Sequence, residues 1–428
     1  MLNKWNYSKM KKSPSLKLSL TQKILFAMLF AIVIGTVIHH FKQISLVENY
    51  LINGIFYLGG TLFISLMKML VIPVVFISLV CGTCALGSGK ALGRMSIKAF
   101  LLYLSTTAIA ISIGLMFAIA TGIKTQSTMA VTAPDIQANS ISLMNIFINI
   151  IPSNPFHAFA NGDMLPIILF SLLLGIAIAA AGKSGEKVRE LFLQLNDVIM
   201  QLIHMVILLT PYGVFCLIAR LVSDVGFSAI QGLVGYFLIV IAALLTHLIL
   251  TNACLLKIFA KLSPLKFFKK MYPAMIFAFS TSSSNVSIPV MLETVEKKLH
   301  VKKSIASFII PLGATINMDG TAIMQGVATV FIANTYHIHL SISDFIMVVV
   351  TATLASIGTA GVPSVGLFML AMVLQQVGLP VEGIGYIIGI DRILDMIRTA
   401  VNVTGDASIA CVIARSENGF TTSSPLHE

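Results

Sequence analysis

The chain has 428 residues, of which 57% are hydrophobic and only 11% are charged. Because a soluble globular domain carries about 25% charged residues, this composition and the mean hydropathy of +0.94 exclude that class. The net charge of +11 lies in short loops between apolar segments, which indicates membrane topology rather than a surface for nucleic acid. We therefore predict an all-α polytopic membrane protein without a nucleic-acid partner, since long apolar segments recur where a β-barrel would show short alternating ones.

The first part of the chain contains six apolar segments that are long enough to cross a bilayer. They are residues 23–40, 50–81, 96–123, 143–181, 189–222 and 228–257. The prolines of "IPSNPF", from Ile151 to Phe156, disfavour helix and predict a break in the fourth segment. Lys and Arg are concentrated in alternate loops and in the tail of residues 1–22. This pattern predicts a multi-pass protein of the cell membrane with both termini, residues 1–22 and 416–428, in the cytoplasm.

After residue 270 the order of predicted elements changes: a hairpin and a helix are followed by a second hairpin and a second helix. Residues 273–292 surround the stretch "STSSSN", and residues 345–378 surround "ASIGTAGVPSVG". We predict that both are re-entrant hairpins, which enter the membrane from opposite faces and are followed by helices at residues 304–335 and 384–415. Such inverted repeats are typical of secondary transporters with a site near the middle of the membrane.

One face of the last predicted helix is polar. At 3.6 residues per turn, six polar residues fall within an arc of about 100°. They are Asp391, Asp395, Arg398, Thr399, Asn402 and Asp406. Each ionisable group in the bilayer centre costs roughly 2.5–3.5 kcal/mol. A stripe of structural salt bridges is the alternative, but the aspartates outnumber the arginine, so we expect a cation here: a metal ion, a proton or a substrate amine.

The stretch "GATINMDGTAIMQG", from Gly313 to Gly326, interrupts the helix predicted at residues 304–335. Gly320 weakens the helix, and an unwound turn would release the carbonyls from Gly313 to Met318. Together with the amide of Asn317 and the carboxylate of Asp319, these oxygens favour a hard cation such as sodium. A buried Asp–Asn pair without an ion is the alternative.

Three further features indicate the solute. Hydroxyl and backbone N–H groups in the serine run from Ser282 to Asn285 could hold a carboxylate. The guanidinium of Arg398 forms a fork that suits a second carboxylate, and Asp395, one turn away, could take an ammonium group. A ligand with one amine and two carboxylates is an acidic amino acid.

The motifs "SLMKMLVIPVVFISLV", "IPSNPF", "STSSSN", "GATINMDGTA", "GTAGVP" and "DRILDMIRTAVNVTGD" resemble those of the dicarboxylate/amino acid:cation symporter family. The resemblance covers roughly residues 20–415 and implies eight transmembrane helices, two re-entrant hairpins and an elevator-type transporter that forms a homotrimer. It implies a trimerisation scaffold of residues 23–95 and 143–222. The moving transport domain would comprise residues 96–123 and 228–415.

The resemblance also implies the residues that bind the substrate. They are Ser283, Ser284, Thr321, Gly361, Val362, Asp395, Arg398, Thr399 and Asn402. In this arrangement Asp395 binds the amino group, Arg398 the side-chain carboxylate and Asn402 the α-carboxylate. The chain departs from its archaeal and animal relatives, which carry an additional arginine where this sequence has Ser282 or Met396. Arg392 is the candidate that would replace it.

Three sodium sites are implied in the same way. The first uses Gly313, Asn317, Asn402 and Asp406. The second uses Thr315, Met318, Ser356, Ile357 and Thr359. The third uses Asn317 and Asp319 with Tyr103, Thr106 and Thr107.

These observations predict a symporter that imports glutamate or aspartate with sodium, needs no cofactor and has only membrane lipids and further copies of itself as partners. The alternative is a proton-coupled carrier of dicarboxylates or of another amino acid such as cystine. An enzyme is not expected. An aspartyl intramembrane protease would require a Gly-x-Gly-Asp motif, but "VNVTGD" has only Thr-Gly-Asp, and His204 and His247 are isolated histidines on helices, to which we assign structural roles.

Overall fold

The computed structural model describes residues 20–84, 90–124, 151–226, 228–357 and 364–421. Among these residues nearly all regular structure is helical, and a single β-bridge joins Val301 to Phe420. The α-helices of at least seven residues are, in chain order, α1 (Leu20–His40), α2 (Tyr57–Cys84), α3 (Lys90–Thr121), α4 (Pro155–Asn161), α5 (Met164–Ala180), α6 (Lys183–Leu208), α7 (Thr210–Val225), α8 (Ser228–Thr246), α9 (Pro264–Thr281), α10 (Ser284–Glu293), α11 (Lys303–Ile316), α12 (Asp319–Thr335), α13 (Ile342–Ser356), α14 (Val365–Gln376) and α15 (Ile384–Ser416). The prediction of an all-α protein is confirmed for the described residues.

Several of these helices have the length and the apolar composition of membrane-spanning helices. Six helical stretches of the described residues are long and apolar enough to cross it, and the shorter helices α13 and α14 are apolar as well. The outer face of α1 carries exposed apolar side chains such as Phe26, Phe30 and Val33, which are 58–60% accessible. An apolar outer surface of this kind is stable only against lipid or another protein, so the chain is a multi-pass membrane protein.

The break predicted in the fourth segment is confirmed. Pro155 occupies the first turn of α4, whose N-terminus is capped by the Asn154 side chain, and Gly162 ends α4 with a φ of 77°. Residues 143–150 of this segment lie outside the described residues. The single span predicted at residues 189–222 is wrong, because the structure divides it into α6 and α7 at Leu209. Pro211 has no backbone N–H, which is tolerated in the first turn of a new helix.

Both predicted hairpins correspond to pairs of helices in contact. In the first pair the chain reverses at Ser282, which has a φ of 50°, and Ser283 Oγ accepts a hydrogen bond from the Val286 N–H at 3.3 Å to cap α10. The first arm, α9, begins at Pro264, before the predicted residue 273. The second pair is α13 and α14, whose connecting residues 358–363 lie outside the described part of the chain.

The interruption predicted at residues 304–335 is confirmed, but its position and its cause differ. The helix stops at Asn317 and Met318, and Gly320 lies inside α12. Gly320 instead permits close packing, because a Cβ there would lie 2.8 Å from the Arg398 carbonyl oxygen. The carbonyls of Gly313 and Met318 are not released: they accept hydrogen bonds from Asn317 N at 2.8 Å and Ala322 N at 2.9 Å. Each carbonyl oxygen still has a second lone pair for a cation.

The helices pack in two groups. In the first group α1 lies along α7, and α2 packs against α5, α6 and α7. In the second group α3 lies along α12, while α15 packs against α9, α11 and α12. Helices α12 and α15 are almost entirely buried, so the polar residues that they carry face protein rather than lipid.

Glu417, directly after α15, connects this helix to the beginning of α3. Its carboxylate accepts hydrogen bonds from Lys98 Nζ at 2.6 Å and Arg94 NH2 at 2.5 Å. The hydrogen bonds from Arg94 and Lys98 lower the pKa of Glu417 to about 2.

We expect Glu417→Gln to lower the thermal midpoint of the purified protein slightly, by an amount that decreases in 1 M salt because the ion pairs are partly exposed. Because the pKa of Glu417 is lowered on folding, its contribution is complete above the ordinary pKa of 4.5 and is lost as the pH falls towards 2. The effect should therefore be constant between pH 6 and 8. The control is Glu293→Gln, which removes an exposed ion pair with Lys297; an equal effect of both variants would contradict the prediction.

Candidate functional site

Asp319, the first residue of α12, is held by side chains from two other helices. Thr107 Oγ1 and Thr106 Oγ1 donate to Asp319 Oδ1 at 2.7 and 3.3 Å. His247 Nε2 lies 3.1 Å from Asp319 Oδ2. These four side chains are buried, and the nearby Tyr103 hydroxyl donates to the Ile309 carbonyl at 3.2 Å. Of the residues predicted for the third sodium site, Thr106 and Thr107 thus contact the buried Asp319 carboxylate directly.

Asn317 connects the interruption between α11 and α12 to α15. Its Nδ2 donates to Asp406 Oδ1 at 2.8 Å and to the Asn402 carbonyl at 3.4 Å. Its Oδ1 is buried and has no hydrogen-bond partner among the described residues. A buried carbonyl oxygen without a donor is costly, and a cation would satisfy it. Gly313 lies beside Asp406 as well, so the residues predicted for the first sodium site are close together.

The residues predicted for the second sodium site are not joined by the contacts of the described residues. The hydroxyls of Thr315 and Ser356 donate to carbonyls of their own helices, Leu312 and Thr353, each at 2.8 Å. Met318 Sδ accepts a hydrogen bond from Asn402 Nδ2 at 3.3 Å. Ile357 follows the end of α13, and Thr359 lies outside the described residues.

Arg398 is a completely buried cation at the centre of α15. Its NH2 group lies 2.9 Å from Asp391 Oδ1 and 3.0 Å from Asp395 Oδ1. Its Nε and NH1 groups have no hydrogen-bond partner among the described residues. A guanidinium has five N–H donors in a rigid fork, so this arrangement leaves part of the fork available for an anion.

Asp395 has several donors around it. The Ser364 backbone N–H, just before α14, donates to Asp395 Oδ2 at 3.1 Å. Arg392 NH1 lies 3.4 Å from the same oxygen, so the arginine considered as a replacement does contact the acidic face. A cavity of about 370 Å³ has Ser364 and Arg392 in its lining, together with residues of α1 and α6. Asp395 thus lies next to a space that a small solute could enter.

Several of the other residues predicted to bind substrate have contacts on α15 or on helices that pack against it. Thr399 Oγ1 donates to the Asp395 carbonyl at 2.7 Å, and Asn402 Oδ1 accepts from the Gly320 N–H at 2.7 Å. Thr321 Cγ2 would lie 2.9 Å from a Cβ at Gly366, which places it between α12 and α14. Ser283 and Ser284 are buried at the start of α10, which packs against α15. Gly361 and Val362 lie outside the described residues.

Sequence reasoning missed three participants. Asp391 was placed on the polar face without a role, but it is an ion-pair partner of Arg398. Ser364 contributes a backbone N–H, which side-chain patterns do not report. His247 was interpreted as a structural helix residue, yet it contacts Asp319, which lies 72 positions away in the chain. An ionisable residue in the middle of an apolar segment was the signal that could have identified His247.

The chain is similar to known membrane transporters over most of its length. Residues 20–416 match the family described as the sodium:dicarboxylate symporter family. The chain is 34% identical to the proton/glutamate-aspartate symporter of Escherichia coli (strain K12), with 95% of this chain and 94% of the relative covered. It is 36% identical to a proton/sodium-glutamate symport protein of Bacillus subtilis (strain 168), with 84% and 86% covered. It is 30% identical to excitatory amino acid transporter 3 of Oryctolagus cuniculus, with 89% and 82% covered.

Proposed function

The chain belongs to the sodium:dicarboxylate symporter family, and from this premise we propose that it imports glutamate or aspartate by symport with sodium ions. Members of this family are transporters, so the prediction that the chain is not an enzyme is confirmed. The relatives named above are symporters or transporters of acidic amino acids, which supports this choice of solute.

The observation that carries the proposal is the buried guanidinium of Arg398, two of whose nitrogen groups have no hydrogen-bond partner in the part of the chain that the structure describes. A carboxylate of the solute would complete its fork, because a buried cation without full hydrogen bonding is strongly destabilising. Asp395, within 3.0 Å of the same guanidinium, would then exchange part of that contact for the solute ammonium group. Thr399, Asn402, Thr321 and the serines at the start of α10 supply the remaining polar contacts, together with Gly361 and Val362.

Sodium as the coupling ion is supported by the oxygen atoms around Asn317, Asp319 and Asp406. Carboxylate, hydroxyl and carbonyl oxygens are the ligands of hard cations, and the unpartnered Asn317 Oδ1 lies among them. We assign the first sodium site to Gly313, Asn317, Asn402 and Asp406. The third is assigned to Asn317, Asp319, Tyr103, Thr106 and Thr107. The second is assigned to Thr315, Met318, Ser356, Ile357 and Thr359, of which Thr359 lies outside the described residues.

The same proposal includes an elevator mechanism with eight transmembrane helices and two re-entrant hairpins. The first packing group, within residues 23–95 and 143–222, is a fixed scaffold through which three copies associate. The second group, within residues 96–123 and 228–415, carries the solute and its ions across the membrane as a rigid body. This division is supported by the packing, since α1, α2 and α5–α7 have their most extensive contacts with one another, and α3 and α15 have theirs with helices of the second group. Both termini are in the cytoplasm.

The test is uptake into liposomes that contain the purified protein. We expect radiolabelled aspartate and glutamate to accumulate under an inward sodium gradient and to stay at background when choline replaces sodium. Accumulation that ignores sodium but follows an imposed pH gradient would favour the proton-coupled alternative, for which the names of two relatives provide support. Cystine, added as a competitor, tests the remaining alternative for the substrate.

A further inference from the structure

His247 is a buried histidine outside the residues assigned to solute and sodium. It lies on the helix that begins with α8, which continues beyond Thr246 as a π-helical segment, His247–Thr251. Insertions of this kind are frequent at functional sites, because the extra residue redirects side chains from their regular positions. Here the insertion begins at the residue that contacts Asp319, at 3.1 Å.

His247 is one of three side chains whose donors surround the Asp319 carboxylate. Asp319 Oδ1 accepts from Thr106 and Thr107, and Oδ2 faces His247 Nε2. A carboxylate only accepts hydrogen bonds, so Nε2 is the ring nitrogen that carries the proton in this contact. Its second nitrogen, Nδ1, is buried and has no partner within the described ranges. Among the described residues, Asp319 is therefore the hydrogen-bond partner of the His247 ring.

Both carboxylate oxygens of Asp319 are held by hydrogen bonds, which prevent rotation of this side chain. With donors on both sides, the plane of the carboxylate is set by Thr106 and Thr107 of α3 and by His247. Oδ2, which faces His247 alone, keeps a second lone pair, so these donors orient the carboxylate without occupying it completely. Partners of this kind typically change metal affinity by about 10–100-fold when they are removed.

We infer that His247 is a positioning residue for sodium: it holds the Asp319 carboxylate in the orientation that binds the ion. The inference rests on the proposed coupling to sodium. It predicts that the loss of the imidazole N–H weakens the binding of sodium itself, in the absence of any amino acid, and that a side chain with an N–H of similar reach restores it.

The experiment measures the thermal midpoint of the purified protein against sodium chloride concentration, with choline chloride keeping ionic strength constant. The concentration dependence gives an apparent dissociation constant for sodium, because a ligand that binds only the folded state stabilises it. We expect His247→Leu to raise this constant about 10–100-fold and His247→Gln to remain within about threefold of the original protein. The control, His157→Leu, changes an exposed histidine of α4 and should leave the constant unchanged.

If the original protein responds to sodium and His247→Leu has the same apparent dissociation constant for sodium, the inference about His247 is overturned. The proposed coupling to sodium then still stands. If the original protein shows no sodium response, the proposed coupling and the inference both fail. Should His247→Leu not fold, His247→Asn replaces it, since the shorter amide does not reach Asp319 whereas Gln does. Equal sodium constants for His247→Asn and His247→Gln would then overturn the inference.

Discussion

Replacement of Arg398 by alanine is expected to weaken the binding of aspartate and glutamate by about two to three orders of magnitude. The guanidinium is completely buried and contacts both Asp391 and Asp395. Truncation of one partner of a buried, hydrogen-bonded charge pair between protein and ligand costs about 2–5 kcal/mol, and 1.4 kcal/mol corresponds to a tenfold change in affinity. The variant would also lose the completely buried donor fork on this face that can hold a solute carboxylate.

Calorimetric titration of the purified variant with aspartate, glutamate and a neutral amino acid, in saturating sodium, measures the effect. Arg398→Lys keeps the charge but not the fork, so it should recover only part of the affinity for acidic solutes. Arg392→Ala serves as the control for a nearby positive charge, since Arg392 is partly exposed and contacts Asp395 only at 3.4 Å. If Arg398→Ala kept the original preference for acidic over neutral amino acids, Arg398 would not be the residue that recognises the carboxylate.

Gly313→Ala is expected to impair sodium binding severely. A Cβ at this position would lie 2.4 Å from Asp406 Oδ1 and 2.7 Å from the Tyr103 hydroxyl, which is too close for either atom to stay in place. Overpacking of a buried site costs about 1–3 kcal/mol, which corresponds to a loss of sodium affinity of roughly 5- to 150-fold. In an unconstrained helix the same substitution would stabilise the protein, because alanine is more favourable than glycine there by about 0.5–1 kcal/mol.

The loss of sodium binding in Gly313→Ala is measured by sodium-dependent thermal stabilisation and by sodium-driven uptake. The matched control is Gly235→Ala in α8, where the added Cβ would meet only the end of the Ile123 side chain, at 3.1 Å. We expect the control to retain the original sodium dependence. Equal sodium affinity in Gly313→Ala and Gly235→Ala would show that the space beside Asp406 is not needed for the ion.

Much of the architecture could be predicted from the sequence because the information is local. Apolar runs of bilayer length correspond to helical stretches, and the prolines of "IPSNPF" interrupt a segment where backbone donors are missing. The serine run predicted a reversal, and the chain reverses at Ser282. The division of residues 189–222 at Leu209 was missed, since a proline that begins a second helix resembles one that only bends a continuous helix.

Candidate site residues could also be selected from the sequence, because an ionisable or amide side chain is costly in an apolar helix and needs a reason to be there. Asp391, Asp395, Arg398, Asn402 and Asp406 share one face of α15 by helical periodicity alone, and this face is buried as expected. The interruption at Asn317 was predicted for the wrong reason. Gly320 does not break the helix but admits the Arg398 backbone at close range.

The sequence by itself thus determined the class of protein, the order of its helices and the set of polar residues that must avoid lipid, since burial of charge and helical period act within one segment. Only the tertiary structure decided which of these residues meet. Thr107 and His247 reach Asp319 across 212 and 72 positions of the chain, and Ser364 reaches Asp395 through its backbone. Such contacts depend on how whole helices pack against one another, and no local sequence pattern encodes which distant residues come into contact.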